Sequence, residues 1–92
     1  MASDASLDRA LHAIADPTRR RILRALKQGD AEPLCAGDIE ERVRLSQPTI
    51  SHHMGILTKA GLVDANKLGQ WRWYRRNEKA IRAVVKRLRG EL

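Results

Sequence analysis

Two adjacent histidines, His52 and His53, follow Ser46, Thr49 and Ser51 inside the stretch LSQPTISHHMGILTKAGLV, residues 45–63. Such a cluster suits a metal site, a nucleophile with its base, or a surface of hydrogen-bonding groups. Neighbours on a helix point about 100° apart, so His52 and His53 cannot easily share one ion. The third histidine, His12, makes no i,i+4 pair with either of them. The single cysteine, Cys35, and the three histidines show no nucleophile–base spacing, and no glycine-rich phosphate loop is present. No catalytic residue, metal site or cofactor is therefore expected, and the chain is not read as an enzyme. Recognition is the remaining chemistry.

The cluster fits recognition once it is placed on a helix. Ser46 suits an N-cap, Pro48 is tolerated in the first turn, and Gly61 suits a left-handed C-terminal position. Leu62 can then fold back on Leu57. At about 100° per residue, Ile50, Met54 and Leu57 form an apolar stripe with His53 at its edge. Pro48, Ser51, His52, Gly55 and Lys59 fall on the opposite side, flanked by Gln47 and Thr49. A helix that reads the DNA major groove presents small hydrogen-bonding side chains from its N-terminal end. Gln pairs bidentately with adenine, whereas Ser, Thr and His make less selective bonds. Gly55 costs on the order of 1 kcal/mol relative to Ala; close approach of a DNA backbone is one reason to keep it.

The elements around this helix follow from the same reading. Leu7, Leu11 and Ile14 mark a first helix over 6–15. Asp16 caps a second helix that starts at Pro17, carries Ile22, Leu23 and Leu26, and stops near Gly29. Residues 29–35 read as a loop, and Ile39 and Val43 mark a third helix over about 36–44. A tight turn at Leu45–Ser46 leads into the reading helix, about 47–60. LVDANKL and WRWYRRN then flank Gly69–Gln70 as a β-hairpin. A last helix, about 78–90, places Ile81, Val84, Val85 and Leu88 on one stripe. The expected fold is mainly α with a small β-hairpin, a winged helix-turn-helix in the order α-α-α-α-β-β-α, forming one domain over 1–92.

Composition agrees. The chain has 92 residues and a formal net charge of +7, with a pI near 10.5. That balance favours a polyanionic partner, nucleic acid or an anionic membrane surface. No apolar run approaches the roughly 20 residues of a membrane span, and the acidic start MASDASLDRA does not read as a signal peptide. One cysteine allows no intrachain disulfide. The expected place is the cytoplasm. On the hairpin, Lys67, Gln70 and Arg72 lie at or beside the tip, where long basic side chains reach phosphates. Arg19, Arg20 and Arg21 are further phosphate candidates, at least one of them a possible interhelical partner. Trp71, Trp73 and Tyr74 suit base stacking, but packing of at least two of them onto the helices is the expected outcome.

The blocks ADPTRRRILRAL, SQPTISHHM…L…AGLV and GQWRWYR resemble the ArsR/SmtB family of bacterial winged-helix repressors, over about residues 7–77. The resemblance implies a homodimer that binds a palindromic double-stranded operator and represses transcription. It implies that Gln47, Pro48, Thr49, Ser51 and His52 form the DNA-binding face, with the hairpin as a wing. It also implies a dimer interface on the first and last helices, through Leu7, Leu11, Ile14, Ile81, Val84, Val85 and Leu88. The family's metal motifs are not matched. In LCAGDI, Cys35 stands at the first cysteine position and Gly37 replaces the second, and residues 78–90 hold no His, Asp or Cys. Cys35 alone is a candidate redox switch, its position near a helix N-terminus favouring the thiolate. The rival reading is a winged-helix module acting through protein contacts or as a non-specific architectural binder of DNA.

Overall fold

The computed structural model describes residues 3–27 and 32–92. The described residues form five helices and three short strands, in the order α1 (Ser3–Ala15), α2 (Pro17–Lys27), β1 (Leu34–Cys35), α3 (Ala36–Val43), α4 (Gln47–Lys59), β2 (Val63–Leu68), β3 (Trp71–Arg76) and α5 (Glu78–Glu91). The expected stop at Gly29 lies outside the described residues. Helix α1 begins earlier than the apolar spacing indicates; the other expected helix boundaries match within about a residue.

One element differs. Leu34–Cys35, read as the end of a loop, pairs antiparallel with Tyr74 and Trp73 of β3. The sheet order is β1-β3-β2, so β3 is central. Two residues carry no alternation for a sequence pattern to register. This strand exists because β3 has a second edge whose backbone groups need partners.

The core is a single cluster in which Ile22, Ile39, Ile50, Met54, Leu57, Leu62 and Val63 are fully buried. Each such side chain contributes roughly 1.5–3 kcal/mol by leaving water. The expected stripe of α4 is the face that enters it.

Local chemistry sets the element ends. The Asp16 carboxylate accepts the Arg19 backbone N–H at 3.0 Å and starts α2. At the end of α4, the Leu62 N–H donates to Leu57 O and the Gly61 N–H to Thr58 O, with Gly61 at φ +77°. That is the Schellman pattern expected from Gly61 and Leu62. Asn77 caps α5 by accepting the Ala80 N–H at 3.0 Å. The connection between α3 and α4 is the three residues Arg44–Ser46, with Arg44 held left-handed at φ 56°.

Candidate nucleic-acid interface

The face of α4 turned away from the core carries Gln47, Pro48, Thr49, Ser51 and His52, all exposed, while Ile50, Met54 and Leu57 on the other face are buried. The helix is thus fixed by one side and presents hydrogen-bonding groups on the other. Ser46 stands at the N-cap with extended backbone but makes no side-chain cap bond. Its hydroxyl instead pairs with the Thr49 hydroxyl at 2.9 Å. Pro48 explains part of this change, because the second helical position has no N–H for a cap to satisfy. The paired hydroxyls hold each other in place at the start of the exposed face.

The wing stands beside that face. Lys67 and Arg72 are direct cross-strand partners, and Leu68 opposes Trp71 across the Gly69–Gln70 tip. Gly69 takes φ +61°, at the first central position where a type II′ hairpin turn favours glycine. Between the wing and the first turn of α4 lies a cavity of about 430 Å³ whose walls include Gln47, Ser51, Gln70, Trp71 and Arg72. Like charges directly opposite each other disfavour a ladder, and an anion bound beside the exposed Lys67–Arg72 pair would relieve that repulsion.

The aromatic residues of β3 divide differently from expectation. Tyr74 is buried in the core, but Trp71 is 57% exposed and Trp73 is half-buried on the outer face. Strand alternation puts Trp71 and Trp73 on one face and Tyr74 on the other. Packing of two aromatics onto the helices is therefore not met; only Tyr74 does so.

The arginine run is structural to a large degree. Arg19 is buried; its Nε donates to Ala13 O at 2.7 Å and its Nη2 to His12 O at 3.1 Å. Arg20 donates to Ile14 O and Ala15 O, and Arg21 to Val43 O. Arg42 and Arg76 reach Ala25 O and Leu23 O of α2. Except for Leu23 O, which lies one turn inside α2, the accepting carbonyls belong to the last turns of helices, where the backbone dipoles leave negative partial charge. Arg76 also binds Glu78 at 2.7 Å, which holds that carboxyl below its usual range. Arg76 and Asn77 were not singled out by the sequence pattern; Asn immediately before a helical period was the available signal.

His53 takes a separate role from His52. Its Nδ1 lies 3.2 Å from Arg19 Nη1. Because Arg only donates, His53 accepts there and must carry a lone pair on Nδ1. Burial lowers the His53 pKa, Asp16 opposes that shift, and Arg19 and His52 reinforce it. The two histidine rings meet edge-on with centroids 5.3 Å apart. Among the described residues no group of three or more His, Cys, Asp or Glu side chains could hold a metal ion. Cys35 is half-buried and its thiol donates to the Asp38 carboxylate at 3.1 Å. That bond, with the Cys35 N–H donating to the same oxygen, lowers the Asp38 pKa.

On the far side, α5 has no fully buried residue. Ile81, Val84 and Leu88 are half-covered and Val85 is 52% exposed. Leu11 and Ile14 of α1 are half-buried, whereas Leu7 is already buried within the chain.

A tight helical pair, an exposed polar face on its second helix, and a basic hairpin alongside define a winged helix-turn-helix. The sequence model of the arsR family of bacterial regulatory proteins matches residues 16–65, and the chain belongs to that family. It is similar to the transcriptional repressor SdpR of Bacillus subtilis, 41% identical over 86% of this chain and 84% of the relative. It is 37% identical to an arsenical resistance operon repressor of Staphylococcus aureus, over 89% of this chain and 76% of that protein. Among solved structures, an ArsR-like transcriptional regulator from a Rhodococcus species superposes with a TM-score of 0.84 at 26% identity, covering 98% of this chain and 82% of that one. The homodimeric winged helix-turn-helix DNA-binding domain of a possible ArsR-family regulator from Mycobacterium bovis gives 0.77 at 28% identity, covering 98% and 83%. The chain is thus a transcriptional regulator and not an enzyme.

Proposed function

We propose that the chain is a homodimeric, sequence-specific repressor that binds a palindromic DNA operator in the cytoplasm, without the metal sites common in its family. The observation that carries this reading is the exposed Gln47–Thr49–Ser51–His52 face, anchored from behind by Ile50, Met54 and Leu57. Each protomer lays that face in the major groove, while Lys67, Gln70 and Arg72 hold the adjacent backbone. The half-covered apolar stripe of α5 and the outer side of α1 pair the protomers, which sets the spacing of two half-sites. Leu7, buried within the protomer, supports that surface from beneath.

The test is a titration against a palindromic duplex, selected for this protein from a random-sequence pool, and against random duplex at two salt concentrations. The expected result is a steep loss of affinity with salt and a specificity ratio of at least about 10³. Equal affinity for both duplexes would leave a non-specific architectural binder, and negligible affinity for either a module for protein contacts.

A further inference from the structure

Among the described residues, the wing tip carries a second exposed apolar surface besides the α5 stripe. Leu68 is 66% exposed and Trp71 57% exposed, and they are direct cross-strand partners immediately before and after the Gly69–Gln70 turn. They therefore stand on one face and form a single apolar edge. The Lys67–Arg72 pair lies one residue further back, on the opposite face of the same ladder. Water is a poor environment for that edge, and the core makes no use of it.

Two features of the surroundings select the occupant. Cations flank the apolar edge on the ladder behind it, a pattern that complements a groove walled by phosphates. Trp71, Gln70 and Arg72 also line the cavity shared with Gln47 and Ser51, so the wing tip adjoins the exposed face of α4. Proteins that enter the minor groove use this combination, with basic groups at the walls and an apolar wedge that partly unstacks a base step.

We propose that the Leu68–Trp71 edge is a wedge that enters the minor groove flanking each half-site, opens one base step and bends the operator. The inference rests on the operator-binding reading above. It assigns a specificity determinant that makes no hydrogen bond to a base. Opening a step costs least at flexible pyrimidine–purine steps, so the wing selects TA or CA/TG at its landing position. Gly69 and Gln70 at the apex leave the wedge narrow, and Lys67 and Arg72 hold backbone phosphates beside it whatever the sequence of the step.

The experiment uses the full chain and the palindromic duplex selected from a random pool, with dyes at both ends and the flanking step set to TA or AA. Wild type shortens the end-to-end distance in energy transfer and prefers the TA duplex by about five- to twentyfold. The double variant Leu68→Ser/Trp71→Ser keeps its fold by circular dichroism, binds a straighter duplex and loses the TA preference. Trp71→Phe retains both, because an aromatic wedge remains. Arg72→Ala weakens both duplexes alike and leaves their ratio unchanged. Tight operator binding with straight DNA, or a bend and TA preference that survive in the double variant, overturns the wedge while operator recognition stands. Failure to distinguish the operator from random duplex removes both.

Discussion

At the scale of single residues, Arg19 and His53 join three elements. Arg19 leaves α2, closes the carbonyl end of α1 and reaches His53 on α4. Arg19→Leu leaves the buried Ala13 carbonyl and the part-buried His12 carbonyl without this donor and is expected to cost about 2–3 kcal/mol, measured by urea unfolding at fixed protein concentration. A change below about 0.5 kcal/mol would show the contacts to be dispensable. His53 adds a pH dependence whose sign follows from its burial. Its folded pKa lies below the usual 6.5, so the unfolded chain takes up the proton first. The stability it permits is complete above about pH 6.5, falls as pH drops through that value, and levels off below the folded pKa. Wild type should therefore lose more melting temperature than His53→Gln between pH 7.5 and 5.5; identical losses would exclude the mechanism. The lowered pKa of Asp16 acts lower, its stabilisation being lost as pH falls below 3.8 and through the folded value. At the interface itself, Gln47→Ala should reduce affinity for the operator more than for random DNA. Arg72→Ala should weaken both about equally and flatten the salt slope, as filter binding at several salt concentrations would show.

At the scale of elements, the two glycines of the α4 region behave oppositely. A methyl group at Gly55 would meet nothing within 4 Å, and the position is helical, so Gly55→Ala should raise stability by up to about 1 kcal/mol. Gly61 is equally uncrowded but sits at φ +77°, so Gly61→Ala should lower stability by about 1 kcal/mol through strain at the helix end. Thermal melts of the two variants should move in opposite directions. A decrease for Gly55→Ala would mean that the helix interior tolerates glycine for a structural reason. If Gly55→Ala also weakens operator binding while it stabilises the fold, the vacant space beside Gly55 is where the DNA backbone runs.

At the scale of the whole molecule, the basic charge is spread over several elements, and α5 carries both cations and an apolar stripe. Five arginines, Arg19, Arg20, Arg21, Arg42 and Arg76, bond main-chain carbonyls, yet they keep their charge and still contribute to the field that attracts a polyanion. Apart from the wing tip, the exposed apolar stripe lies on α5. Val85→Glu places a carboxylate at the exposed large apolar side chain of α5 and should shift sedimentation from dimer to monomer at micromolar concentration, with helical content preserved. Operator affinity should fall with it, since one half-site cannot supply the contacts of two. An unchanged dimer would move the interface away from the α5 stripe.

Helix α4, its anchoring stripe, its glycine end and the hairpin were legible in the sequence because each rests on local periodicity or on one residue's backbone preference. Ile50, Met54 and Leu57 share a face by helical spacing alone, and Gly61 ends the helix by its own conformational freedom. Contacts between distant segments carry no such signature. Nothing in RRR says which guanidinium is buried, nothing in LC says that it completes a sheet, and nothing in WRWY says which aromatic meets the core. Those were decided by the fold, which brought α1's carbonyls to Arg19, the free edge of β3 to Leu34–Cys35, and the hydrophobic interior to one face of β3. Sequence spacing determines which side chains share a face; only packing determines what each face meets.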